Sequence, residues 1–337
     1  MLQRILIMQT ASLGDVILST SLAETLHKQY PSAMIDYLVK SPHELLFEGH
    51  PFINKVLVWE KDHRKYYNLI NIIKTVRSRK YDAVINVQRF ATSGLIAGLS
   101  GAPYRAGFKK NPLSFMLTHK AVHIISGETH EIYRNGQLIK PLTDLKPELP
   151  KLYPTKADFE STEKWKDRPY ITISPASLYF TKQLPMHKWI EMIDNIPDEI
   201  PVMLIGSKHD IPLCEEIYMK CDEQHIINMA GRLSFLESAA LMKDAMMNYV
   251  NDSAPQHLAS AVNGNVTAIF LSTVPKFGFG PLSDNSYIVE TNVPLACKPC
   301  GIHGHQQCPE GHFKCAETIS VSQLLLPLNN YEQRDSN

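Results

Sequence analysis

No stretch of this chain approaches the roughly 18 consecutive apolar residues that a membrane-spanning helix requires. Its first apolar run, residues 5–8, gives way to Gly14 and Asp15 where the core of a secretion signal should continue. An excess of charge of either sign is also missing, because 34 basic residues balance 34 acidic ones. A general field for nucleic acid is thereby excluded, and any anion must be bound by local groups. Cysteine is scarce over most of the chain, with four of the six bunched between 297 and 315. That is no secreted disulfide framework. Together these absences predict a cytoplasmic protein.

What the chain does have is alternation. Strand-like runs at 5–8, 35–39, 56–59, 83–87 and 122–125 are separated by helical patterns at 16–29, 68–79, 92–99 and 128–139. Five prolines between 141 and 169 mark a linker, and they split 337 residues into domains 1–155 and 156–337. Beyond it, strands are expected at 170–173, 202–205, 226–228, 247–250 and 266–271, with helices at 187–195, 211–221, 234–244 and 255–262. Two α/β domains follow, each with a parallel sheet covered on both faces. A cleft between two such sheets is the natural ligand site. An amphipathic stretch at 318–328 closes the chain.

Three turns at strand ends are more polar than folding demands. In Ser12-Leu13-Gly14-Asp15 a small-residue turn presents a carboxylate at the start of a helix. Asp there is either a helix cap or a ligand-facing group. In the second turn, Ser174-Pro175-Ala176-Ser177 is followed by Thr181-Lys182, so backbone N–H groups and an ammonium can meet phosphate oxygens. Asn251-Asp252-Ser253-Ala254-Pro255-Gln256-His257 puts a cap, a free helix N-terminus and a histidine one turn inside on the same face. Taken singly, each also reads as ordinary structure: a solvated lysine, a capped helix, a satisfied half-buried histidine.

Taken in order, the three turns, with Tyr30-Pro31-Ser32-Ala33-Met34-Ile35-Asp36, Ala230-Gly231-Arg232-Leu233-Ser234 and Cys297-Lys298-Pro299-Cys300, resemble the lipopolysaccharide heptosyltransferases of glycosyltransferase family 9. The resemblance spans nearly the whole chain and rests on the ordered set. It implies a GT-B architecture of two Rossmann-like domains, with parallel sheets facing across a cleft. It also implies an inverting, metal-independent transfer of heptose from an ADP-heptose-type donor to a lipopolysaccharide inner-core acceptor. The acceptor would sit on the N-terminal domain at the inner face of the inner membrane, with the final helix packing back on that domain.

In that picture Asp15 is the general base, taking the proton of the acceptor hydroxyl. Lys182 steadies the diphosphate leaving group, with donor contacts from Ser177, Asp252, Ser253, Ala254, Pro255, His257, Gly206 and Glu216. Ser12, Gly14, Arg64, Arg105, Lys109 and Arg134 are the acceptor candidates, since an acidic inner core suits Arg and Lys. Two residues depart from the family pattern, Ala176 and Ala254 standing where Gly is usual. Ala254 precedes Pro255, so extended backbone is expected there.

Cys297, Cys300, Cys308 and Cys315, with three histidines between them, have the spacing of a closed structural zinc site. Reduced thiols in a packed loop are the alternative, and the family resemblance implies a transfer that needs no cofactor. Three other functions use the same residues: a nucleotide-sugar-binding protein without transferase activity, a nucleotide-sugar epimerase, and an interaction module centred on the cysteines. The presence of Asp15 at its turn favours the transferase.

Overall fold

A computed structural model describes residues 2–60, 64–125, 128–221 and 225–335. The chain divides between Tyr153 and Pro154 into two compact units, two residues before the expected boundary.

In the first unit the strands are β1 (Arg4–Met8), β2 (Met34–Val39), β3 (Ile53–Val58), β4 (Ala83–Asn86), β5 (Tyr104–Phe108) and β6 (His119–Ala121). All pair in parallel, in the order β3-β2-β1-β4-β5-β6. The last four residues of β1 are fully buried. A strand covered on both faces reads as one apolar run rather than an alternation. The intervening helices are α1 (Leu13–Gln29), α2 (Lys65–Ser78), α3 (Ala91–Leu99) and α4 (Glu131–Gly136).

The second unit repeats the plan. It opens with α5 (Lys156–Thr162), inside the expected linker, whose start is fixed by a reciprocal cap between Thr155 and Asp158. Its strands are β7 (Ile171–Ser174), β8 (Val202–Leu204), β9 (Ile226–Asn228), β10 (Met247–Asn251), β11 (Val266–Ile269) and β12 (Ser286–Val289). Their order, β12-β11-β10-β7-β8-β9, is the first sheet's order seen from the other edge, again all parallel. The further helices are α6 (Met186–Ile193), α7 (Ile211–Lys220), α8 (Phe235–Asp244), α9 (Ala254–Ala261), α10 (Lys314–Glu317) and α11 (Val321–Asp335). Trp189 of α6 is fully buried among Ile171, Ile173, Leu204 and Leu324, worth on the order of 2–3 kcal/mol of hydrophobic stabilisation. Leu324 and Leu328 of α11 sink into this same core, where the helix packs on α6 and β12. The final helix is thus part of its own unit's core.

Three strands, β5, β6 and β12, lie where none was expected. β5 carries Arg105 and Gly107 and β12 begins with Ser286, so neither shows a long apolar run. The strand expected at 122–125 is instead irregular chain beyond β6. Each sheet has the strand order of a Rossmann sheet with one topological switch point, between β1 and β4 and between β7 and β10. Ligands of open α/β sheets bind beyond the strand ends at that point.

Candidate active site

At the first switch point, Ser12 is the N-cap of α1 and Asp15 its third helical residue, joined in a reciprocal capping box. Ser12 N and Ser12 Oγ both donate to the same Asp15 oxygen, Oδ2, at 3.3 and 2.5 Å. Capping and a ligand-facing role are therefore compatible in one side chain. Burial raises the Asp15 pKa from its ordinary value, the Ser12 hydroxyl opposes this, the Glu131 charge adds to it and Arg89 pulls the other way. Such a carboxylate holds its proton more strongly than one in water.

Glu131 belongs to a buried triad. His123 Nε2 lies 2.9 Å from its Oε1, and Arg134 Nε donates to its Oε2 at 2.6 Å. Burial alone would raise this carboxyl, but the hydrogen bonds and charges of His123 and Arg134 outweigh it and hold the pKa low. Arg134, an acceptor candidate by sequence, is 4% exposed and committed to Glu131 and to the Thr129 carbonyl. Arg105 likewise spends its guanidinium on the carbonyls of Met116 and Ala102. Lys109 and Arg64 are exposed, Ser12 is exposed and Gly14 is buried. The structure thus leaves Ser12, Arg64 and Lys109 with Arg89, which is also exposed, as the groups that face solvent.

At the second switch point the two polar turns meet. Lys182 Nζ stands 2.7 Å from Asp252 Oδ2, with both side chains largely buried. Thr273 Oγ1 donates to the same oxygen at 2.6 Å. Asn251, fully buried at the end of β10, holds the turn that carries Lys182 from both sides. Its Nδ2 donates to Pro175 O at 2.8 Å, and its Oδ1 accepts from Leu184 N at 3.0 Å. Ser177 is half-buried, its N–H on Gln183 Oε1 at 3.1 Å.

Ser253 caps α9 with an extended backbone, φ −154° and ψ 180°, and Ala254 is already the first helical residue with Pro255 second. The extended conformation expected at Ala254 therefore falls one residue earlier. Ala is the best helix former, which suits this position. His257 is buried one turn inside α9.

Two donor candidates have local explanations. A Cβ on Gly206 would stand 2.8 Å from Asp210 Cβ, in the capping box formed by Ser207 and Asp210. Close packing of its own turn thus requires that glycine. Glu216 is exposed on α7 and pairs with Lys220 at 2.9 Å. Its neighbour Glu215 takes the Asn228 amide at 2.9 Å, at the end of β9.

The four clustered cysteines are near enough to feel one another's charge. Burial raises the Cys315 thiol to about 11, and burial together with the other thiols raises Cys300. Cys300 Sγ donates to the Cys297 carbonyl at 3.1 Å. Among the described residues no three His, Cys, Asp or Glu side chains are placed to hold a metal ion.

The match with known proteins now decides the family. The model of glycosyltransferase family 9 (heptosyltransferase) fits residues 69–313. The chain belongs to glycosyltransferase family 9. Lipopolysaccharide heptosyltransferase 3 of Escherichia coli is 28% identical over 284 residues, 77% of this chain and 80% of that one. Lipooligosaccharide heptosyltransferase 2 of Haemophilus influenzae is 25% identical over 306 residues, 85% of this chain and 88% of the other. The fold matches a family 9 glycosyltransferase from Veillonella parvula with TM-score 0.86 and 19% identity, covering 98% of both chains. It matches the E. coli ADP-heptose lps heptosyltransferase II with TM-score 0.82 and 20% identity, over 99% of this chain and 100% of that one. This family 9 protein is a glycosyltransferase of the heptosyltransferase type.

Sequence reasoning singled out Asp15, Lys182 and Asp252 but gave no role to Asn251, Thr273 or Glu131. Asn251 had a readable signal, an amide ending an otherwise buried strand. Thr273 had none, because its role depends on where β11 ends relative to β10.

Proposed function

We propose that this family 9 enzyme moves a heptose from ADP-heptose to a lipopolysaccharide-core acceptor, with inversion and without a catalytic metal. Asp15 takes the proton of the attacking acceptor hydroxyl. The bond from the anomeric carbon to the ADP oxygen breaks, and the electron pair leaves with the diphosphate. Lys182 meets that growing negative charge, together with N–H groups of the Ser177 turn and of the α9 N-terminus at Ser253, Ala254 and beyond Pro255. Asp252 holds the ammonium in place and offers its carboxylate to the sugar hydroxyls, with His257 behind them. Ser12, Arg64, Lys109 and Arg89 serve an acidic acceptor.

The observation that carries this reading is the Lys182–Asp252 pair at a strand-order switch point, a poised cation where Rossmann sheets bind nucleotides. An acceptor anchored in lipid requires approach to a membrane surface. Among the described residues no helix is long and apolar enough to cross one. Tyr66 and Tyr67 of α2, 78% and 61% exposed beside Arg64 and Lys65, support contact at the surface instead.

The test is to supply ADP-heptose and uridine-linked sugars, each with and without truncated lipopolysaccharide, and to follow nucleotide release. ADP release that depends on the acceptor and survives chelation supports the proposal. Preference for a uridine donor, release without acceptor, or loss of activity on chelation overturns it.

A further inference from the structure

Lys182 is backed by a loop that has no assigned role. Gly304, four residues beyond Cys300, has φ +77°, a conformation that side chains other than glycine rarely adopt. A Cβ there would stand 2.9 Å from Lys182 Cγ, 3.2 Å from Lys182 Cδ and 3.1 Å from Thr181 Oγ1. The methylene stem of Lys182 therefore lies directly on bare backbone.

The next residue grips the turn. Thr181 N donates to His305 O at 3.1 Å, and His305 N donates to Thr181 Oγ1 at 2.7 Å. Thr181 O accepts from Ser272 N at 3.3 Å, and Ser272 O accepts from Cys300 N at 2.9 Å. These bonds make one network of the Lys182 turn, the segment after β11 and the cysteine-bearing loop. Thr273, next to Ser272, in turn holds Asp252.

We propose that Gly304 and the His305 main chain position Lys182, so that the cysteine-bearing loop aims the ammonium at the diphosphate of the donor. A lysine stem is flexible, and its charge stabilises a leaving group best when its orientation is fixed before the bond breaks. Gly304 supplies a flat wall, and the two-way grip on Thr181 fixes the residue immediately before the lysine. Both are positioning groups, acting through Lys182, and the inference rests on Lys182 serving the leaving group.

A four-protein cycle tests it: wild type, Gly304→Ala, Lys182→Met and the double variant, each assayed for ADP affinity by calorimetry and for transfer. Gly304→Ala is expected to weaken ADP binding several-fold and to lower kcat about tenfold, less than deleting a charge-stabilising donor outright. In the Lys182→Met background the same substitution should change ADP affinity less than about twofold, because its effect passes through the missing ammonium. Equal losses in both backgrounds, or wild-type behaviour of Gly304→Ala beside a defective Lys182→Met, overturn the inference and leave the role of Lys182 intact. Wild-type ADP affinity and turnover in Lys182→Met overturn both. Should Gly304→Ala not fold, Thr181→Val and Thr181→Ser carry the test. Serine, which keeps the hydroxyl, should restore ADP affinity, whereas equal defects in the two variants overturn the inference.

Discussion

Lys182 and Asp252 form an ion pair, 2.7 Å from Nζ to Oδ2, with only 15% and 9% of their side chains exposed. Removing one partner of such a pair leaves a largely buried charge without its counter-ion. Asp252→Ala should therefore cost about 3–5 kcal/mol of stability. Lys182→Met/Asp252→Ala should cost less than Asp252→Ala alone, since no unpaired ammonium remains. Urea unfolding midpoints of the three proteins check this, and a double variant less stable than Asp252→Ala would contradict it.

Asp15→Asn should keep the fold and donor affinity while losing about 100-fold or more of turnover, the scale of general base catalysis. In the wild type, kcat/KM should rise with pH through a value above the ordinary carboxylate 3.8, because burial raises the Asp15 pKa. The stability effect has the opposite sign. A carboxyl with a raised folded-state pKa stabilises the protein at low pH and loses that contribution as pH rises through the folded value. Asp15→Asn should thus be at least as stable as wild type at neutral pH, with the difference fading below pH 3.8. Thermal unfolding across pH measures it.

Glu131→Gln should destabilise the first unit and shift the acid limb of the rate profile downward. The first effect follows from leaving Arg134 and His123 short of a buried carboxylate. The second follows from removing a negative charge that helps to raise the Asp15 pKa. Because the Glu131 pKa is lowered from 4.5, its contribution is present above that value and lost as pH falls through the folded one. The stability gap between the two proteins should therefore narrow in acid. A gap that stays constant with pH would refute the charge assignment.

Asn251→Ala removes the bonds to Pro175 and Leu184 that brace the Lys182 turn. Leaving those buried backbone groups unpaired should cost about 1–3 kcal/mol for each. Turnover should fall further than stability alone explains, because the turn then holds Lys182 loosely. Steady-state kinetics well below the melting transition separate the two effects.

Much of this was readable in the residues. The buried strands of both sheets announced themselves as apolar runs, and Asp15, Lys182 and Asp252 stood out as polar residues at the ends of such runs. β5 and β12 did not, because Arg105 and Gly107 break up the first and the second, opening on Ser286, is only four residues long. Arg134 read as a surface cation but is buried, since its carboxylate partner lies three residues away on a helix too short to show a period. The cysteine spacing promised a closed metal cage. In three dimensions the more telling residue of that loop is Gly304, and nothing in a linear text indicates that its missing Cβ leaves room for a lysine.

The grip of His305 on Thr181 joins residues 124 positions apart, and the brace from Asn251 to Leu184 spans 67. During synthesis the turn bearing Lys182 emerges long before anything that orients it. Nucleotide affinity should be among the last properties a nascent chain acquires, arriving only when the cysteine-bearing segment has cleared the ribosome.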